Sequence, residues 1–294
     1  MNLPEDQLRA LAAVIDGGSF EAAARLLSIT ASAVSQRVKA LENEVGRVLV
    51  VRSKPARLTP SGSIVMRMAR QVELLGRETA AALHPGVQVV TTITLVVNAD
   101  SLATWFLDAV ASVEGVAFDI TREDQAHSAA LLREGTVMAA VTSVREAVQG
   151  CVSTRVGGMT YRATASAEFV RAWRCGGSDG STLSIAPVVV FDRKDMLQDE
   201  YLHSRGVDPQ LPPRHHVPGS TDFLRAVMLG IGWGMLPDEQ AGGLVASGDL
   251  VVLTGLPVEV PLYWQQWSFD SAALAAVADA VAAGAPRGSS RSTL

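Results

Sequence analysis

Cysteine is scarce in this chain. Only Cys151 and Cys175 occur in 294 residues, too few for a disulfide framework or a four-cysteine zinc site. No apolar run approaches the roughly 18 residues that a membrane span needs, so no transmembrane helix is expected. The start, Met1-Asn2-Leu3-Pro4-Glu5-Asp6, is acidic and has no signal-peptide core. A cytoplasmic protein without a membrane partner is therefore expected. Catalytic signatures are missing too. There is no Gly-x-Ser-x-Gly elbow, no His-Glu-x-x-His and no phosphate-loop lysine motif. The adjacent His215 and His216 would face opposite sides of a strand, which opposes a shared metal. No catalytic residue, metal or cofactor is expected, and an enzyme is the weaker rival.

What is present is a globular chain, 48% apolar and 19% charged, long enough for two folded units. Its net charge of −5 argues against nucleic acid until it is divided. Residues 1–90 hold eleven Lys/Arg and eight Asp/Glu, and residues 91–294 hold fourteen and twenty-two. Seven bases and two acids fall within 25–57. A basic module joined to an acidic one is the reading, against a plain solvated basic face.

Pro4 suits the first turn of a helix. Leu8, Leu11, Ala12 and Ile15 then recur at helical spacing, and Gly17-Gly18 stops the run. Ser19 can cap a second helix, and Thr30 a third from Ala31 to about Glu44. Two helices across so short a turn form a helix-turn-helix. Ser32, Ser35, Gln36 and Lys39 share the outer side of the third helix, with Arg37 beside them. Hydroxyls, an amide and bases near a helix start suit base edges and phosphates of a DNA major groove. The bland alternative is the polar face of a three-helix bundle. Val48–Arg52 and Arg57–Thr59 then form a hairpin wing, with Arg52, Lys54 and Arg57 placed for phosphates. Thr59-Pro60 opens a helix to about Leu83. Its seam of Ile64, Met68, Val72 and Leu75 favours pairing with a second copy, because a helix between domains has little of its own chain to pack on. His84-Pro85-Gly86 marks a linker.

These residues carry a resemblance. Ser19-Phe20, Ala22-Ala23, Ser32-Ala33-Val34-Ser35-Gln36, Leu41-Glu42, Val51-Arg52 and Thr59-Pro60-Ser61-Gly62 are similar to the DNA-binding domain of LysR-type transcriptional regulators.

Beyond residue 90 strands and helices alternate: a strand at 91–97, a helix at 102–113, strands at 116–120 and 137–141 with a helix at 126–134 between them. The rhythm recurs from Pro187 to Leu253. Such alternation implies parallel sheets, with ligands at the carboxyl ends of the strands. Gly230-Ile231-Gly232-Trp233-Gly234 follows a helix and enters a strand, the wrong order for a dinucleotide site. It resembles instead a glycine-rich turn of the LysR-type effector domain, which is two-lobed and similar to periplasmic binding proteins. Val97-Asn98-Ala99-Asp100-Ser101-Leu102-Ala103-Thr104-Trp105, Glu123-Asp124, Asp195-Met196-Leu197-Gln198-Asp199 and Tyr263-Trp264-Gln265 resemble the LysG/ArgP regulators of basic amino-acid export.

The resemblance implies an α/β chain in five parts: an all-α winged helix-turn-helix over 1–59, a linker and dimerisation helix over 60–84, a hinge over 85–90, an effector domain over 91–284, and a disordered tail over 285–294. Within the effector domain, lobe I takes about 91–162 and 257–284, and lobe II about 163–256. The implied effector is lysine or arginine, with histidine as a third candidate. The implied partners are promoter DNA of an exporter gene, RNA polymerase, and further copies in a homodimer or homotetramer.

At the expected strand ends, Asn98 and Ser101 suit an effector carboxylate. Asp100, Glu123, Asp124 and Asp192 suit its cationic groups, and Thr142, Ser143 and Ser220 are further polar candidates. Each has a plainer reading, as helix cap, loop acid or turn residue. Trp105, Trp233 and Trp264 are read as core before cleft. A different small-molecule effector is the alternative within the family. A solute-binding protein is the rival outside it, opposed by the missing signal segment and by the helix-turn-helix.

Overall fold

The computed structural model describes residues 2–84, 90–123, 125–175 and 180–288. The chain divides into two compact units. The first comprises Met1–Val97, Val113–Thr154 and Trp264–Ala280, and the second Asn98–Ser112, Arg155–Tyr263 and Val281–Leu294. The expected division into lobes follows different boundaries: the segment after the first sheet strand groups with the second unit, and the DNA-reading segment groups with the first.

The first unit opens with α1 (Glu5–Asp16), α2 (Phe20–Leu26) and α3 (Ala31–Val45). Ser19 Oγ accepts from the Ala22 N–H (3.1 Å) and Thr30 Oγ1 from the Ala33 N–H (3.1 Å), so both helix starts are capped where the sequence indicates. Gly46 ends α3 in the left-handed conformation. Leu8, Leu11, Val14, Val34, Val38 and Leu41 form the core beneath. The wing is β1 (Val50–Val51) paired antiparallel with β2 (Arg57–Leu58). α4 (Pro60–Leu83) follows, capped by Thr59 with Pro60 in its first turn.

The rest of this unit is a sheet. β3 (Thr91–Val97) lies parallel to β4 (Val116–Arg122) on one side and to β5 (Ala139–Thr142) on the other. Between β4 and β5 runs α7 (Gln125–Glu134), a right-handed crossover being the usual route between parallel strands.

The helix expected over 102–113 is two short ones, α5 (Ala99–Thr104) and α6 (Phe106–Val110), in the second unit. It starts earlier because Asn98 Oδ1 accepts from the Ser101 N–H (2.8 Å), and it breaks at Trp105. The second unit is not purely parallel. Its long β6 (Cys151–Ser166) is antiparallel to β9 (Gly234–Pro237) and to β10 (Leu250–Val252). β7 (Val188–Val190) and β8 (Arg214–His216) pair in parallel. α8 (Ala167–Trp173), α9 (Leu197–Ser204), α10 (Ser220–Met228) and α11 (Asp238–Ser247) complete its helices, and β11 (Val258–Trp267) and α12 (Ala272–Gly284) continue the chain between the units.

The alternation rule did not anticipate β6, which carries Gly157-Gly158 in its middle. These glycines admit another stretch of backbone. A Cβ at Gly157 would collide with the Pro286 carbonyl, and the Gly158 N–H donates to Pro286 O (2.8 Å). That contact also corrects the expected tail. Residues 285–288 are held against β6, while 289–294 lie outside the described residues. The hinge expected at 85–90 likewise lies outside them, apart from Val90. Trp105, Trp233 and Trp264 are all buried, as core packing requires. Among the described residues no helix is long and apolar enough to cross a membrane.

Candidate functional site

In the first unit the outer face of α3 presents Ser32, Gln36 and Lys39, all exposed. Steps of four and three residues keep them in one narrow arc. Ser35 is half-buried beside them. Thr30 is exposed, but its hydroxyl serves as the cap. Arg37 differs from expectation. Its Nε lies 3.1 Å from Asp6 Oδ2 on α1, so its charge is partly neutralised within the fold. Arg52 lies over the Phe20 ring, 4.8 Å from the centroid, a cation–π contact that seats the wing on α2. Lys54 and Arg57 stand exposed on the wing. Glu42 is a brace. Its Oε1 accepts from the N–H groups of Leu49 (2.8 Å) and Val50 (3.3 Å), tying α3 to the wing.

In the second unit, polar groups converge on Asp100. One carboxylate oxygen accepts from the Ser220 hydroxyl (2.6 Å) and the other from the Tyr161 hydroxyl (2.7 Å). Gln240 Nε2 donates to the Ser220 carbonyl (3.2 Å) and lies 3.3 Å from its Oγ. Burial, reinforced by the Asp100 charge, pushes the Tyr161 hydroxyl well above its usual pKa. Burial also raises Asp195, and the Asp100 charge adds to it, against lowering by backbone N–H groups. Glu239 is raised by burial and by Asp238 and Asp100. Asp238 itself is paired with Arg162 (2.9 Å). The negative charge of Asp100 that helps to raise Asp195 and Glu239 also attracts a cation.

The other expected effector residues are placed differently. Asn98 and the Ser101 N–H satisfy each other, and the buried Ser101 hydroxyl lies 3.7 Å from Met159 Sδ. Asn98 Oδ1 and the Ser101 N–H are thus engaged in the helix cap. Asp192 is a turn residue, its Oδ1 accepting from the N–H groups of Lys194 (2.7 Å) and Asp195 (3.1 Å). Thr142 is buried and accepts from the Val144 N–H (3.2 Å). Glu123 lies 4.0 Å from His127. Glu123, Thr142 and Ser143 belong to the first unit, and Asp124 lies outside the described residues. Tyr161 and Glu239 were not anticipated. Tyr161 lies in the strand that periodicity missed, and Glu239 looked like an ordinary first-turn acid of a helix.

Comparison with known proteins decides what this assembly belongs to. Residues 6–63 match the model of the bacterial regulatory helix-turn-helix protein, lysR family. The lysine export transcriptional regulatory protein LysG of Corynebacterium glutamicum is 42% identical over 281 residues, covering 94% of this chain and 95% of that one. The chain belongs to the LysR family. It is a LysR-type transcriptional regulator, of the group that includes the LysG and ArgP proteins. The crystal structure of ArgP from Mycobacterium tuberculosis is similar to this regulator with a TM-score of 0.85 and 43% identity, covering 96% of this chain and 98% of that one. Full-length LysG of C. glutamicum with bound effector Arg is similar with a TM-score of 0.76 and 40% identity, covering 97% and 98%. Helix-turn-helix regulators of this kind bind DNA, in keeping with the exposed face of α3.

The linker helix of the regulator has two distinct faces. Val65, Met66, Ala69 and Leu74 are buried, and Arg70 is bonded to Asp16 of α1 and lies 3.6 Å from Glu73. So the helix has more of its own chain to pack on than its position suggests. Even so, Ile64, Met68, Leu75 and Leu83 remain exposed at 75%, 40%, 43% and 69%. Val72 is half-buried against the core beneath α4.

Proposed function

We propose that this regulator senses a basic amino acid, lysine or arginine with histidine as a third candidate, and controls a gene for amino-acid export. The observation that carries the reading is the Asp100 cluster, where Asp195 and Glu239 are raised in part by Asp100's charge. Such a field favours a ligand with more than one cationic group. Asp100, Ser220, Tyr161, Asp195 and Glu239 are the residues assigned to it, and Asp192 is left out. The bound Arg in the C. glutamicum relative supports the same ligand class. The effector acts by binding one conformation of the regulator more tightly than another, and RNA polymerase reads the result at the promoter.

Calorimetric titration with arginine, lysine and alanine tests the sensing. Heat from the basic pair but not from alanine is expected. No heat from either basic amino acid overturns it. Affinity is also expected to fall as pH drops. Asp195 and Glu239 are raised, so they take up protons at higher pH than ordinary carboxylates, and a protonated site no longer attracts a cation.

DNA recognition is assigned to Ser32, Ser35, Gln36 and Lys39 on α3, with Arg52, Lys54 and Arg57 on the wing. Lys39→Ala is expected to weaken binding across all sequences and to flatten the slope of log affinity against log salt by about 1. Arg37→Ala is expected to change that slope less, because Arg37 is paired with Asp6. Gel shifts on the regulator's own upstream DNA at several salt concentrations measure both. A slope for Lys39→Ala equal to the parent's would remove Lys39 from the phosphate contacts.

The exposed seam of α4 is assigned to pairing with a second copy. Ile64→Asp with Leu75→Asp is expected to convert the assembly to monomers in analytical ultracentrifugation. An unchanged sedimentation coefficient discards the seam.

A further inference from the structure

The linker helix grips two other helices of its own unit by their ends. Arg67 Nη1 donates to the Gln149 carbonyl (3.0 Å), and Nη2 lies 3.4 Å and 3.3 Å from the carbonyls of Leu132 and Arg133. Leu132 and Arg133 stand in the last turn of α7, where carbonyls have no partner within the helix and the dipole is negative. A guanidinium suits that end in both charge and hydrogen bonding. Eleven residues later, Glu78 does the opposite at the start of α12. Its Oε1 accepts from the Ser271 hydroxyl (2.7 Å) and from the Ala273 N–H (2.9 Å). Ser271 Oγ in turn accepts from the Leu274 N–H (3.2 Å). Glu78 thus completes an N-cap from a distant part of the chain, at the positive end of the dipole.

The two grips lie on one side of α4. Eleven residues are about three turns, so Arg67 and Glu78 point the same way roughly 16 Å apart. Two glycines admit the arginine. Gly135 and Gly150 both have positive φ, and a Cβ on them would stand 2.8 Å from the Arg67 backbone nitrogen and 2.5 Å from Nη1. The gripped points are informative in connectivity. Gln149 comes just before β6, and Glu78 holds the first turn of α12. Both β6 and α12 begin in the first unit and end in the second, the unit that holds Asp100.

We infer that Arg67 and Glu78 are positioning residues that couple effector occupancy to the linker helix, and hence to the DNA-reading module. Neither touches the Asp100 cluster or the exposed face of α3. They make α4 move with the starts of β6 and α12. Arg70, bonded to Asp16 one turn away, carries that movement to α1. The inference rests on the basic amino-acid reading for the identity of the signal, but not for the grip itself.

The test uses the full chain carrying Glu78→Gln, Arg67→Lys or Arg67→Met. DNA affinity is measured with and without saturating arginine, arginine affinity by calorimetry, and backbone hydrogen exchange along α4 in the free protein. Arginine affinity within two-fold of the parent is expected in all three. The arginine-dependent change in DNA affinity is expected to shrink at least three-fold in Glu78→Gln and Arg67→Met, with partial rescue in Arg67→Lys. Exchange along 71–83 is expected to rise. An arginine response equal to the parent's in Glu78→Gln and Arg67→Lys overturns the inference, and it does so even if exchange rises, since the contacts would then be structural only. If Arg67→Met does not fold, the other two variants decide. If the parent itself shows no arginine response, the sensing proposal fails instead. Exchange then judges the grip: unchanged protection of α4 in both folded variants overturns it.

Discussion

Asp100→Asn is expected to weaken arginine binding by about two orders of magnitude. Asp100 already accepts from the Ser220 and Tyr161 hydroxyls, so its oxygens are held in place before any ligand arrives. A charge-assisted bond between a cation and a carboxylate contributes about 1.5–3 kcal/mol, and each 1.4 kcal/mol is about ten-fold in affinity. Truncating one partner of a buried charge pair costs about 2–5 kcal/mol. The amide keeps the shape and loses the charge. The same change should stabilise the ligand-free protein. Asp195 and Glu239 are raised in part by the Asp100 charge. A carboxylate whose pKa is raised on folding contributes stability while protonated, and that contribution is lost as pH climbs through the raised value. Removing Asp100's charge brings both groups closer to ordinary carboxylates and lessens that loss. The expected signature is a higher melting temperature without arginine at pH 7, together with a much smaller shift on adding it. Arginine heats equal to the parent's would take Asp100 out of the site.

Gly62→Ala is expected to disable the DNA-reading module. A Cβ at Gly62 would collide with the Leu49 carbonyl oxygen, and would stand 3.0 Å from its carbonyl carbon and 3.2 Å from Leu58 Cδ2. Leu49 cannot easily yield. Its carbonyl accepts from the Thr59 N–H (2.9 Å), and its N–H is held by Glu42 (2.8 Å). Overpacking costs about 1–3 kcal/mol and each backbone bond lost about 1 kcal/mol, so a loss of about 3 kcal/mol is expected. Displacing the wing from α3 should weaken DNA binding more than ten-fold, while arginine binding in the other unit is retained. Gly76 is the internal control. It lies on the same helix, exposed, and a Cβ there meets nothing within 4 Å. Gly76→Ala should therefore add about 0.5–1 kcal/mol through helix propensity alone. Two glycine-to-alanine changes in one helix are expected to act with opposite signs. Chemical denaturation of both, with gel shifts, checks this. Equal stabilities for the two variants would show that the wing can move aside.

The winged module was legible because its signals are local. Ser19, Thr30 and Thr59 cap helices within three residues of themselves, Gly46 ends one, and the apolar spacing of Leu8, Leu11, Val34 and Val38 states which faces are inward. The first unit's parallel strands were legible for a similar reason, since buried runs such as 91–97 stand between helical stretches. The long antiparallel β6 was not, because its paired glycines answer to backbone arriving from residue 286.

The candidate effector site was only half legible. Asp100 was singled out as an acid at an expected strand end and Ser220 as a polar candidate 120 residues on, and the fold joins them. Tyr161, Asp195 and Glu239 gained their significance only from standing near Asp100 in the folded chain. Asp192, one of the acids at a strand end, uses one carboxylate oxygen, Oδ1, to hold the next turn.

The sequence alone determined the helix-turn-helix, the wing, the length of the linker helix and the division of charge between a basic module and an acidic remainder. Caps, periodicity and net charge are properties of neighbouring residues, and they survive without knowledge of the fold. Tertiary structure alone decided which charges are spent inside the protein and which remain to act. Arg37 is drawn to Asp6, and Arg67 and Glu78 are drawn to helix ends 65 to 195 residues away along the chain. Desolvation and pairing depend on distances through space, and no spacing along the chain encodes them.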